Sequence, residues 1–184
     1  MGKLKTIYLA GGCFWGFQKF FDQFDGVAHT ETGYANGPAA EPSYRDVCAG
    51  SGHAETVRID YDEDHMDLEK QLEYYFLVID PVSHNWQGND VGVQYRTGIF
   101  YTEDGQLPVI RAVYWREQEK AGTKLAVIVK PLGNFFPAEE YHQKYLDKNP
   151  RGYCHIPRVF FSLAELERKE SAGELKKRLS ASLK

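Results

Sequence analysis

The chain has 184 residues, a formal net charge of -4 and 42% hydrophobic side chains, enough for one core in one domain. Without a basic excess there is little with which to neutralise phosphates, which argues against a nucleic-acid partner. Three cysteines, Cys13, Cys48 and Cys154, without a C-x-x-C spacing, argue against a disulfide framework and a zinc ribbon. The apolar run in "MGKLKTIYLAGG" is too short for a secretory h-region and no later stretch could span a bilayer, so the expected compartment is the cytoplasm, away from membranes.

In chain order, "KTIYLAGGC" reads as a strand that stops at Gly11-Gly12, after which Phe14, Phe17, Phe20, Phe21 and Phe24 recur at helical spacing. Cys13 is thereby placed at a strand-to-helix junction. "GVAHTETGYANG" predicts a strand ending in an Asn36-Gly37-Pro38 turn, "PAAEPSYRDVCAGSGH" a loop, and "ETVRIDYDED" a strand with apolar residues at every second position. A helix follows with Leu68, Leu72, Tyr75, Phe76 and Ile79 on one face, ended by Asp80-Pro81. "DPVSHNWQGNDVG" is expected to be a polar loop and "YRTGIFYT" a strand closed by an Asp104-Gly105 turn. After a helix over roughly 108–120, "LAVIVKPL" reads as a buried strand. "PAEEYHQKYLDKNPRGYCHIP" reads as a short helix running into an irregular loop, and the tail from about 162 as helical in composition without a strong apolar face. The order predicts an α+β fold, a ferredoxin-like two-layer sandwich with a mixed β-sheet and an irregular C-terminal extension. The catalytic domain is expected over 1–157, with 158–184 a helical or mobile extension.

A helix N-terminus favours thiolate over thiol, so Cys13 is expected to have a lowered pKa. The flanking Phe14 and Trp15 would bring an apolar wall to the same surface. A packed cysteine is the rival reading of the same junction. Cys48 is expected to be a buried, inert thiol. Taken singly, Glu55 would be a solvated residue opening a strand, Tyr44 and Tyr95 packing residues, Asp90 part of an Asx-type turn, and His142 a structural histidine. His53-Ala54-Glu55 mimics the H-x-E of zinc deaminases, but the paired cysteines that would complete a metal site do not follow.

Four runs in order, GCFWG, YRDVCAGSGHAETVRIDY, DPVSHNWQGNDVGVQYRTGIFY and AEEYHQKYLDKNPRGYCHI, span approximately residues 4–156. Together they resemble the signature of the A-type peptide methionine sulfoxide reductases. The resemblance implies that Cys13 attacks the sulfur of methionine sulfoxide and that Phe14 and Trp15 hold its ε-methyl group. It further implies that Glu55 protonates the sulfoxide oxygen with help from Tyr44 and Tyr95, that Asp90 orients the site, and that Cys154 resolves the sulfenic acid. A thioredoxin-like reductant would then recycle the disulfide, with no metal or organic cofactor. The chemistry has its own logic: a carboxylic acid kept neutral by a dry aromatic pocket can supply a proton, and a sulfenic acid condenses with a second thiol. Two other classes fit a cysteine at such a junction. One is a hydrolase or amidotransferase pairing Cys13 with His53 or His142, and the other is a non-catalytic aromatic module that binds peptide.

Overall fold

The structure, a computed structural model, describes residues 4–38, 40–169 and 177–181. Strand β1 (Leu4–Ala10) leads through Gly11-Gly12 into helix α1 (Phe14–Phe21), followed by β2 (Val27–Ala35), α2 (Tyr44–Cys48), β3 (Ala54–Asp62) and α3 (Leu68–Val78). A two-residue ladder, β4 (Trp86–Gln87) and β5 (Asp90–Val91), precedes β6 (Gly98–Tyr101), α4 (Leu107–Ala121), β7 (Ile128–Pro131) and β8 (Phe135–Pro137). The chain continues through α5 (Tyr145–Lys148) and a 3-10 turn (Arg158–Ser162) to α6 (Leu163–Lys169).

Six strands form one sheet in the order β7-β6-β1-β3-β2-β8. The β6–β7 pair is parallel and the other neighbours are antiparallel, so the sheet is mixed. Strand alternation decides which side chains meet the helices. Ile7 and Leu9 of β1 and Val57, Ile59 and Tyr61 of β3 face α1, α3 and α4, where Phe17, Phe20, Phe21, Leu72, Tyr75, Ile110 and Val113 complete the main core. A smaller cluster of Tyr8, Ala10, Ala35, Ala54 and Phe100 lies on the opposite face. Each fully buried phenylalanine of α1 contributes ~1.5–3 kcal/mol relative to an exposed one, which is why this short helix is secure.

Several local expectations are corrected. The predicted loop before β3 contains α2, started by a reciprocal capping box: Asp46 N donates to Ser43 Oγ at 3.3 Å and Ser43 N donates to Asp46 Oδ2 at 2.9 Å. The polar loop after Asp80 folds back as the β4–β5 hairpin. The strand predicted over "LAVIVKPL" shrinks to β7, an edge strand with half-buried and exposed residues, while the buried Leu125 and Val127 precede it. The short helix expected after Pro137 begins only at Tyr145, because Lys144 takes a left-handed φ of 50°. The tail has an apolar side after all, since Leu163 and Leu179 belong to the main core and Leu166 packs against it. The expectation of a helical or mobile extension lies, for 170–176 and 182–184, outside the described residues.

Candidate active site

The junction after β1 turns sharply because Gly12 adopts φ +87°, a conformation that penalises any Cβ. Cys13 follows as the N-cap of α1, its backbone extended and its side chain making no capping hydrogen bond. The first helical N–H is therefore left for another acceptor. Glu55 supplies it: Phe14 N donates to Glu55 Oε2 at 3.1 Å. Glu55 stands on β3 two residues before Val57, so the period of the strand turns its carboxyl toward the helices, and it is only 2% exposed.

Burial pushes the Glu55 carboxyl up to about 8, against the Phe14 N–H and with the nearby Asp90 charge adding to the rise. At neutral pH the group is predominantly a neutral acid. Cys13 is 6% exposed, and burial first, then the Glu55 charge, raise its pKa well above the ordinary thiol value. This corrects the expectation of a lowered pKa. Trp15's backbone N–H favours the thiolate, but an eight-residue helix offers too small a dipole end to offset desolvation. Cys13 is thus a covered, protonated thiol in this conformation.

Tyr44 and Tyr95 both have raised pKa values, through burial first, and the Glu55 charge contributes to each. They are therefore hydroxyl donors within electrostatic reach of the carboxyl. Tyr44 opens α2, with its backbone N donating to Glu139 Oε1 at 2.9 Å and its ring edge-on to His142 at 4.4 Å. Tyr95 ends a 3-10 segment, Val93–Tyr95, that Arg96 fastens: Nη1 donates to Val93 O at 2.9 Å and Nη2 to Asn36 O at 3.1 Å.

The aromatic pair after Cys13 divides its roles. Phe14 is 1% exposed and packs between Tyr34 and His142, with ring centroids 5.8 and 5.2 Å away. Trp15 is half-buried, stacked on Tyr145 at 3.8 Å, and its Nε1 donates to His142 Nδ1 at 2.9 Å. In this conformation Trp15 reaches the surface and Phe14 does not.

Cys154 and Cys13 are both free thiols. Cys154 Sγ lies against the first turn of α1, where a Cβ added to Gly16 would collide with it. Burial pushes its pKa up to about 11, and Ile156 N donates to the sulfur at 3.3 Å. Beside it opens a cleft of about 440 Å³, lined among others by Lys19, Pro150, Arg158 and Phe161. Asp90 is half-buried and turned toward this loop: Tyr153 Oη donates to its Oδ2 at 3.2 Å. Cys48, expected to be buried, is instead exposed at the end of α2, because that short helix packs on the site through Val47.

Other residues hold the site together: sequence reasoning passed over Tyr34, Glu139 and Gln143, while His142, read there as a structural histidine, takes that part. Tyr34 Oη donates to Glu139 Oε2 at 2.6 Å, so one carboxylate ties β2 to the start of α2. Gln143 clasps the edge of β2, accepting from Thr32 N at 3.0 Å and donating to Thr32 O at 2.9 Å. His142 is buried and kept neutral by desolvation. The signal was present in "AEEYHQKY", whose density of polar and aromatic residues suits no plain surface helix. Among the described residues, no group of three or more His, Cys, Asp and Glu side chains is placed to hold a metal ion.

Comparison with known proteins gives these positions a context. A family model described as peptide methionine sulfoxide reductase matches residues 5–173. A Clostridium acetobutylicum protein named peptide methionine sulfoxide reductase MsrA is 52% identical over 156 residues, covering 84% of this chain and 96% of its own. The crystal structure of Mxr1 from Saccharomyces cerevisiae in reduced form is 39% identical, with a TM-score of 0.78 over 83% of this chain and 89% of that one. Mxr1 in complex with Trx2 is 25% identical with a TM-score of 0.56, covering 78% of this chain and 85% of that one. This chain belongs to the peptide methionine sulfoxide reductase family.

Proposed function

We propose that this protein reduces the S epimer of methionine sulfoxide, free or in peptides and proteins, to methionine, and that thioredoxin returns it to the dithiol state. Kinship with MsrA at 52% identity supports the reaction, and the Mxr1–Trx2 neighbour supports the reductant. The observation that carries the assignment of roles is the neutral, 2% exposed carboxyl of Glu55 at the start of the helix that Cys13 caps.

On this reading the sulfoxide oxygen takes hydrogen bonds from the Glu55 carboxyl and from the Tyr44 and Tyr95 hydroxyls. Cys13 sulfur attacks the substrate sulfur as Glu55 protonates the oxygen. The oxygen ends on Cys13 as a sulfenic acid, methionine leaves, and the thiol proton replaces the one Glu55 gave. Cys154 then displaces hydroxide from the Cys13 sulfur, giving a disulfide and water, and a dithiol partner supplies the two electrons that reopen it. Trp15 offers an apolar surface for the ε-methyl group. Phe14 joins it only if substrate entry shifts the first turn of α1, since its ring is sealed here. Asp90 is placed to steady the Cys154 loop as well as the site.

Two finer readings go with this one. The inner strands, in the order β6-β1-β3-β2 with α1 and α3 as crossovers, support a ferredoxin-like description of the sandwich. Among the described residues no helix is long and apolar enough to cross a membrane, and a thiol-based cycle suits the reducing cytoplasm. The hydrolase reading finds no support, because the groups that act on the Cys13 thiol are Glu55, the Trp15 N–H, Asp90 and Cys154, with neither His53 nor His142 among them.

The test is a single turnover without reductant. Reduced protein mixed with each epimer of a blocked methionine sulfoxide should yield about one equivalent of methionine from the S epimer only, with a Cys13–Cys154 disulfide by mass mapping. Equal yields from both epimers, or methionine from Cys13→Ala, would overturn the proposal.

A further inference from the structure

The β4–β5 hairpin is pinned to the end of α3 by one side chain. Gln87 Oε1 accepts from Asp80 N at 2.8 Å and Gln87 Nε2 donates to Asp80 O at 2.7 Å. From this fixed hairpin Asp90 Oδ2 accepts from Tyr153 Oη at 3.2 Å and lies 3.7 Å from His155 Nδ1. Tyr153 and His155 are the two residues that flank Cys154.

The His155 side chain is 5% exposed and sits in a slot between two glycines of positive φ. A Cβ on Gly12 would come within 2.8 Å of His155 Cε1, and a Cβ on Gly88 within 2.9 Å of His155 Cβ. Neither ring nitrogen has a well-aligned hydrogen-bond partner, and burial pushes the imidazole down to about 4, with the Gly11 backbone acting in the other direction. A buried polar group so poorly satisfied is unfavourable by itself, so packing must hold it in place. That packing joins the strand-to-helix junction before Cys13, the hairpin, and the residue after Cys154.

We propose that Tyr153 and His155, anchored on Asp90 and in the Gly12–Gly88 slot, are positioning residues that latch Cys154 against the first turn of α1 and so set the rate of disulfide closure. A disulfide needs Cα atoms within ~7 Å and sulfurs suitably directed, and a free loop meets both conditions only part of the time. The latch replaces that search with a preset approach. In the step it serves, the S–O bond of the Cys13 sulfenic acid breaks, an S–S bond forms to Cys154, and the thiol proton leaves with the hydroxyl as water. The first step, oxygen transfer to Cys13, does not need the latch.

The proposal rests on Cys154 being the resolving thiol, and its test separates the two ideas. His155→Ala, Tyr153→Phe and Cys154→Ser are each mixed, reduced and without reductant, with a blocked methionine S-sulfoxide. Methionine, free thiols and the dimedone adduct of the Cys13 sulfenic acid are followed in time. In the two latch variants one equivalent of methionine should appear at the wild-type rate. Disulfide closure should slow by ~10-fold or more in His155→Ala and by ~3-fold in Tyr153→Phe, with the adduct accumulating on Cys13. Tyr153 is at the surface, so its variant tests the idea even if His155→Ala folds poorly. If Cys154→Ser stops at the sulfenic acid while both latch variants close at the wild-type rate, the latch is wrong and the resolving role stands. If Cys154→Ser itself closes a disulfide at the wild-type rate, the resolving role falls and the latch with it.

Discussion

Replacing Glu55 by Gln should make the folded protein more stable at neutral and alkaline pH while crippling the reaction. The carboxyl is held protonated to about 8 in the folded chain, against an ordinary value of 4.5. A group raised by folding contributes stability that is complete below its unfolded value and is lost as pH climbs to its folded value. For Glu55 the window of loss runs from 4.5 to about 8. At ~1.4 kcal/mol per pH unit the ceiling on that loss is ~5 kcal/mol, and local opening that lets water reach the carboxylate brings the expected difference nearer ~2–3 kcal/mol. Glutamine is nearly isosteric, keeps an oxygen for Phe14 N, and does not titrate. Urea unfolding of the wild-type and Glu55→Gln proteins from pH 4 to pH 9 should give curves that coincide near pH 4 and diverge steadily until about pH 8. Parallel curves across that range would mean that Glu55 ionises in the folded state near its ordinary pKa. It could not then be a standing proton donor at pH 7, and the proposed mechanism would lose its acid.

In a single turnover, the same Glu55→Gln variant should form methionine ~100-fold or more slowly, the scale of a lost general acid, as read by rapid quench. An alkylating reagent applied to the reduced, folded protein should label Cys48 first and Cys13 last, because Cys48 is exposed and Cys13 is only 6% so; peptide mass mapping gives the order. Gly16→Ala puts a methyl group where Cys154 Sγ now lies, so disulfide closure should slow by ~10-fold even though alanine favours the helix by about 1 kcal/mol. Trp15→Phe loses the Nε1 hydrogen bond to His142 Nδ1 and part of the stack on Tyr145. Its effect should be a several-fold higher KM with a smaller change in kcat, measured under thioredoxin-driven cycling.

The strand-helix frame was legible because two periodicities are strong in this chain. The phenylalanines from Phe14 to Phe24 repeat at helical spacing, and β3 alternates so cleanly that Val57, Ile59 and Tyr61 are all fully buried. That alternation also carried a missed clue, since Glu55 has the parity of the buried set and a glutamate there is a misfit worth a chemical reason. The capping pair Ser43 and Asp46 was likewise in view and marks the start of α2. What could not be read was anything that depends on tertiary cover. Whether the Cys13 thiol is raised or lowered turns on Glu55, 42 residues away, and on the loop around Cys154, neither of which a junction of local sequence reveals. The exposure of Cys48 and the short edge strand β7 are decided the same way, by which neighbours happen to lie above them.

A raised thiol pKa beside a raised carboxyl pKa would be a poor arrangement for a free-standing nucleophile, yet it suits oxygen transfer. Both groups are neutral in the resting site, and burial raises each first; the Glu55 charge then penalises the Cys13 thiolate, and the Asp90 charge raises both. A buried site of this kind resists any step that creates a net charge, at a cost that grows as water is excluded. Oxygen transfer as proposed creates none, because the proton lost by the thiol and the proton gained by the sulfoxide oxygen pass through the same carboxyl. The low dielectric then works in favour of the reaction by strengthening the hydrogen bonds from Glu55, Tyr44 and Tyr95 to an oxygen whose basicity rises as the sulfur is attacked. The corollary is a rate for the first step that stays level across neutral pH and falls as Glu55 deprotonates above about pH 8. A first-step rate that instead climbs from pH 7 to pH 9, tracking a free thiolate, would show that Cys13 acts as an ionised nucleophile, and that charge-neutral transfer is not how this site works.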